Sequence, residues 1–229
     1  MGDYFVMLKA MVKNRTLTWF PGLLNNSRFW ILAAGIVLSV NIAGLVQFLI
    51  PNGSLQMIRI EQAYGFVSIF LLFVAMLASP LTKAFPNAPY NNFYLHARRA
   101  IGVLAFYYAA LHVGVSFFAQ LGGFAGIKYY SAEYRLSIVL GVIALSVLFV
   151  MAATSLDWVV KFMTYPRWKL LHRLVYMAGI AVLAHVVLIG SHYADINLLS
   201  ALTIVAVLVL LRFEQQRIRN FIASKRRKS

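Results

Sequence analysis

The sequence predicts an all-α integral membrane protein: a six-transmembrane helix bundle with both termini cytoplasmic. Three observations predict it. Of the 229 residues, 62% are hydrophobic and only 12% charged, with a mean hydropathy of +0.77, outside the composition of soluble domains. Apolar runs of about 20 residues, enough to cross a hydrocarbon core about 30 Å thick, recur six times. The 21 Lys and Arg are also placed unevenly. All but Arg59, Lys128 and Arg135 fall in the termini or in the second and fourth loops, and cytoplasmic loops are the ones enriched in bases.

The elements follow in order. Residues 1–28 (MGDYFVMLKAMVKNRTLTWFPGLLNNSR) mix aromatic and aliphatic side chains with Lys9, Lys13 and Arg15. They suit a cytoplasmic or interfacial segment lying along the membrane surface, with a partly ordered tail as the open alternative. The first span, 29–50, is not followed by a small-residue cleavage site and does not read as a secretory signal. Further spans are expected at 62–82, 100–119, 136–155, 170–190 and 197–212. Together, residues 29–212 form one transmembrane domain. The longest outer connection is 120–134 (QLGGFAGIKYYSAEY), and 213–229 is a basic cytoplasmic tail suited to anionic lipid headgroups. No internal repeat and no Pro- or Gly-broken helix pair of the transporter kind is present.

The net charge of +15 is therefore a consequence of topology, and the partner it implies is membrane lipid, not nucleic acid. The absence of cysteine excludes disulfides, thiolate metal sites and iron–sulfur clusters.

Ionisable groups in lipid are costly and mark functional candidates. The interiors of spans 1, 2, 4 and 6 are expected to hold none. Span 3 carries His112; span 5 carries His185 deep inside and His172 near its cytoplasmic start. Spans 3 and 5 run in the same direction. His112 follows Arg99 by 13 residues and His185 follows Arg173 by 12, so both lie roughly 18–20 Å from their cytoplasmic anchors at about 1.5 Å per residue. Two imidazoles at matched depth on parallel helices are candidate ligands gripping one planar cofactor from opposite faces. Small residues share their stripes: Gly102, Ala105, Ala109 and Ser116 with His112, and Ala178 and Ala181 with His185. Close helix packing alone also explains such stripes.

His172 lies off the His185 stripe. A second planar cofactor there would need a partner near the start of span 3, where Arg98 and Arg99 stand. A propionate or flavin contact, and a hydrogen-bonded interfacial histidine, stay open for it. His192, in the outer loop GSHYADIN, is either an acceptor contact or an exposed loop residue. Arg98, Arg99 and Arg173 suit the carboxylates of a propionate or the phosphate of a flavin, as well as simple positive-inside anchoring, and Trp168 shares the face of His172.

The stretches ASPL (78–81), RRAIGVLAFYYAALHVGVSF (98–117) and WKLLHRLVYMAGIAVLAH (168–185) resemble the ferric-reductase-like transmembrane domain superfamily over roughly residues 60–212. The pattern is most similar to the haem-binding membrane subunit of the bacterial periplasmic methionine sulfoxide reductase system. The resemblance implies that His112 and His185 are the axial ligands of a b-type haem and that His172 matches the inner ligand position. Arg98 and Arg99 depart from the oxidases of the superfamily, which carry a second histidine on the third helix, so one haem is expected and a second left open. The chain lacks a Gly-rich nucleotide fingerprint, so electrons are expected from a cytosolic flavin reductase or from quinol, with FMN or quinone as a further candidate cofactor.

The expected function is transfer of electrons across the bacterial inner membrane to a periplasmic redox partner, as an oxidoreductase subunit with no catalytic residue of its own assigned. Two alternatives stand beside it: a stand-alone metalloreductase or oxygen reductase, and a non-redox transporter or scaffold.

Overall fold

Helices organise the chain in the computed structural model, which describes residues 27–190. The first helix, α1 (Ser27–Leu49), is followed by α2 (Gly53–Ala84) and α3 (Asn91–Val115). A π-helical turn, Ser116–Gln120, continues α3 and leads into the short α4 (Gly123–Ile127). Next come α5 (Ala132–Ala153), the short α6 (Asp157–Met163) and α7 (Tyr165–Leu171), a 3₁₀ turn at His172–Leu174, and α8 (Val175–Gly190). No strand occurs among the described residues.

Five of these stretches are long and apolar enough to cross a membrane: Ser27–Leu49, Gly53–Thr82, Asn91–Gln120, Ala132–Ala153 and Pro166–Ile189. They correspond to the first five expected spans. The sixth, 197–212, lies outside the described residues, as do His192, the basic tail and most of the N-terminal segment.

Local chemistry sets the ends. Asn52 caps α2, its side chain accepting from the Leu55 amide at 3.1 Å, and Ser131 caps α5 by accepting from Tyr134 at 3.2 Å. Gly122 and Gly123, at φ 63° and 67°, make the left-handed turn into α4 that a side chain would oppose. Thr164, at φ 65°, separates α6 from α7, and Pro166 follows in the first turn of α7.

The helices pack in two pairs, α2 on α3 and α5 on α8, joined mainly through α3 and α5. Between them lies a cluster of Leu72, Ala105, Ala144, Leu148, Ala178, Ala181, Val182 and Val186. Half of its members are alanines. Lipid tails are as apolar as leucine, so close backbone approach, not exclusion from water, holds such helices together. The large apolar side chains point outward instead, among them Phe48, Phe66, Phe70, Phe149 and Ile180.

Polar side chains fasten α1, α2 and α3 to one another. Tyr108 donates to the Gly35 carbonyl at 2.7 Å, Tyr64 to the Ser39 carbonyl at 2.9 Å, and Ser68 to the Ala105 carbonyl at 2.8 Å.

One sequence expectation is corrected. Span 2 was expected to begin at 62 with no ionisable group in its interior, yet α2 begins at Gly53 and carries Glu61 in its third turn. A hydropathy window excludes a carboxylate that its neighbours can bury, and here they do.

Candidate functional site

His112 on α3 and His185 on α8 meet across the interface between the two helix pairs. Their ring centroids lie 6.2 Å apart, with the ring planes crossed at 87°.

Each ring is set by the helix behind it. His112 Nδ1 lies 3.0 Å from the Glu61 carbonyl oxygen on α2. His185 Nδ1 lies 2.7 Å from the Ser137 carbonyl oxygen on α5 and 3.0 Å from the Ser137 hydroxyl, which itself donates to the His185 carbonyl at 3.1 Å. A carbonyl oxygen only accepts, so Nδ1 carries the proton in both rings and Nε2 keeps its lone pair. Metal-binding histidines are oriented in this way.

The same device serves both rings. Within a helix, the carbonyl of residue i accepts from the amide of i+4, and the side chain at i+4 leans back over the turn before it. At i+4 from Glu61 and Ser137 stand Gly65 and Gly141. A Cβ at Gly65 would lie 2.9 Å from His112 Nδ1, and one at Gly141 would lie 3.0 Å from His185 Nδ1. Each glycine therefore leaves a second lone pair of its carbonyl open to an imidazole from the neighbouring helix.

The pair fits a metal held within a macrocycle. Two metal–imidazole bonds of about 2 Å, with about 1 Å from each nitrogen to its ring centre, put the centroids about 6 Å apart across one metal. Crossed planes are compatible with this, because an imidazole can turn about its metal–nitrogen bond without leaving the metal. No group of three or more His, Cys, Asp or Glu side chains able to hold a bare ion occurs among the described residues. The two histidines suit an ion whose other positions a planar ligand fills, as in haem.

The other predicted residues gather toward the opposite end of the spans. His172, in the 3₁₀ turn, brings Nε2 to 3.3 Å from the Thr154 hydroxyl and stacks on Trp168 with centroids 4.0 Å apart. The Thr154 hydroxyl also bonds the Val150 carbonyl at 2.8 Å. Trp168 is only 4% exposed and donates from Nε1 to the Thr154 carbonyl at 3.0 Å.

Arg99 lies 5.9 Å from the centre of the Trp168 ring and donates to the Asp157 carboxylate at 2.7 Å. Its Nε is buried without a hydrogen-bond partner among the described residues. Arg28 also reaches Asp157, at 3.0 Å. The Arg99 guanidinium, bonded to this carboxyl, holds it below the usual aspartate range despite partial desolvation, and Arg28 adds to the effect. Arg98 donates to Ser79 at 2.8 Å with its charge close enough to act on His172, and Arg173 is exposed. The structure thus brings together His112 with His185, and His172 with Trp168 and Arg99. Arg98 lies beside the second group, and Arg173 stands apart from both.

Sequence reasoning missed Glu61, Gly65, Ser137 and Gly141. Their only signal is the spacing of a glycine four residues after the carbonyl it uncovers, and that spacing acquires meaning once the neighbouring helix is known.

Residues 63–184 match the family described as ferric reductase like transmembrane component. The magnetosome protein MamZ of Paramagnetospirillum magneticum is 29% identical over 189 residues, covering 80% of this chain and 28% of that protein. The protein-methionine-sulfoxide reductase heme-binding subunit MsrQ of Agrobacterium fabrum is 32% identical over 128 residues, 56% of this chain and 57% of the relative. MsrQ of Ralstonia nicotianae is 27% identical over 156 residues, 67% of this chain and 69% of the relative. The chain thus spans little more than half of the Agrobacterium relative and about a quarter of the magnetosome protein. With more than half of its length matched, and with the methionine sulfoxide reductase subunits among its relatives, the chain belongs to the ferric reductase-like transmembrane family.

Proposed function

We propose that the chain is a b-type haem membrane subunit that carries electrons from a cytoplasmic-side flavin or quinol, across the bacterial inner membrane, to a periplasmic acceptor such as a methionine sulfoxide reductase. The observation that carries this reading is the crossed His112–His185 pair, 6.2 Å between centroids, with each Nδ1–H turned to a carbonyl of the neighbouring helix. The name of the MsrQ relatives, heme-binding subunits of a methionine sulfoxide reductase, supports both the cofactor and the partner. The absence of cysteine supports a haem without thioether links.

A haem held by His112 and His185 would supply a one-electron iron couple, and ligation by both would favour electron transfer over oxygen activation. The residues of the chain do the rest. The Glu61 and Ser137 carbonyls fix the tautomer and orientation of the two rings and raise their basicity. Leu72, Ala105, Ala144 and Ala178 form a close-packed apolar core next to them, so water is kept from the interior.

At the other end Arg98, Arg99 and Arg173 supply positive charge for the donor's phosphate or headgroup, and His172, with Trp168 packed against it, is a second cofactor contact on that side. The distribution of bases supports this orientation, with residues 197–212 as the sixth span and both termini cytoplasmic.

The test is the reduced-minus-oxidised absorbance spectrum of the detergent-purified protein, with haem counted by pyridine haemochrome. The expected result is one b-type haem per chain, lost in His112→Ala and His185→Ala and kept in His172→Ala. Two haems per chain would give His172 a ligand role. A folded but colourless protein from haem-replete cells would remove the electron-transfer reading.

A further inference from the structure

The Glu61 side chain forms a second link to the His112 site, separate from its backbone carbonyl. The carboxylate is 14% exposed, with Oε1 lying 3.8 Å from His112 Nδ1. Gln120 Nε2 donates to its other oxygen, and the Ser116 side chain lies beside the carboxylate. All three neighbours lie on α3 or on the π-helical turn that continues it, so one carboxylate on α2 gathers the whole stretch from His112 to Gln120.

That stretch is unusual in its backbone. Ser116–Gln120 forms a π turn, closed by the Leu121 amide on the Ser116 carbonyl at 2.8 Å. Such turns insert one extra residue into a helix and recur at functional sites. Here the turn begins one helical turn after His112 and rotates Gln120 toward α2. Among the described residues His185 has no counterpart to this acid, and Ser137 supplies both of its partners. A carboxylate inside a span is costly unless its interactions hold it there.

We propose that Glu61 is a positioning residue for His112: by clamping the π turn to α2 it fixes the rotation of the imidazole, and with it the crossed angle of the ligand pair. The inference rests on the haem reading. Loss of the clamp lets α3 turn slightly about its axis, so the ring drifts from its perpendicular setting and leaves the metal more readily.

Two readouts report this without any turnover. Crossed axial imidazoles leave the two π-type d orbitals of ferric iron nearly degenerate and give a strongly anisotropic low-spin EPR signal with a large leading g value. Carbon monoxide binds ferrous haem only when an axial histidine steps aside.

The experiment compares wild type, Glu61→Gln, Glu61→Leu, Gln120→Leu and His112→Ala as haem-loaded, detergent-purified full chains. Glu61→Gln keeps an acceptor for Gln120 and should match wild type in both readouts. Glu61→Leu and Gln120→Leu should keep their haem, lose the large-g signal and bind carbon monoxide about tenfold faster, the worth of one buried hydrogen bond.

Wild-type values in Glu61→Leu, or in Gln120→Leu alone, would overturn the clamp. Should Glu61→Leu fail to fold, Gln120→Leu decides on its own. The haem reading fails separately: a wild-type chain without haem, or His112→Ala with its spectrum intact, removes that reading, whereas haem lost only in His112→Ala with wild-type Glu61→Leu removes the clamp alone.

Discussion

At Gly65 and Gly141 a methyl group would reach 2.9 and 3.0 Å from the Nδ1 atoms of His112 and His185. Alanine at either position would push the ring away and also shade the carbonyl that accepts its proton. Overpacking of this kind costs about 1–3 kcal/mol, and the lost hydrogen bond adds about 1 kcal/mol. Gly65→Ala and Gly141→Ala are therefore expected to lower the thermal midpoint in detergent and to weaken haem retention during gel filtration. Gly44→Ala, where a Cβ meets nothing within 4 Å, should leave both unchanged. A defect of equal size in Gly44→Ala would show that the effect belongs to helical glycines in general, not to the imidazole contacts.

Among the elements, α1, α3 and α6 are tied at one point by Asp157, which receives Arg28 at 3.0 Å and Arg99 at 2.7 Å. The carboxyl's pKa is lowered in the folded state, so the tie contributes at any pH above the ordinary aspartate range and is lost as pH falls through the folded value, below about pH 4. Asp157 is 68% exposed, and exposed pairs are worth less than about 1 kcal/mol and are screened by salt. Asp157→Asn should therefore cost little at neutral pH, and the gap between it and the parent should close below pH 4 or in 1 M salt. A gap that widened under either condition would contradict the assignment.

The elements also show where sequence was informative. Five spans were legible because hydropathy depends on composition alone, and the proximity of His112 to His185 was legible because depth can be counted along a helix. The glycine–carbonyl device was not, since nothing in span 3 names α2 as its neighbour. Glu61 was missed because a single carboxylate pulls the apparent start of a span inward by nine residues, and the 3₁₀ turn at His172 because a local tightening leaves hydropathy untouched.

For the molecule as a whole, the orientation read from basic residues has a direct test, helped by the absence of cysteine. Single cysteines at Ser54, before the body of α2, and at Asn87, between α2 and α3, lie at opposite ends of one span. A membrane-impermeant maleimide added to spheroplasts should label Ser54→Cys, and Asn87→Cys should react only after lysis. The reverse pattern would invert the topology, and with it the side from which electrons enter.

The two-pair packing has a mechanical consequence as well. One imidazole belongs to the α2–α3 pair and the other to the α5–α8 pair, so a group ligated by both rings acts as a rivet across their seam. Pulled from its ends, the loaded bundle should yield in a single extension at high force, and the unloaded one in two smaller steps as the halves part.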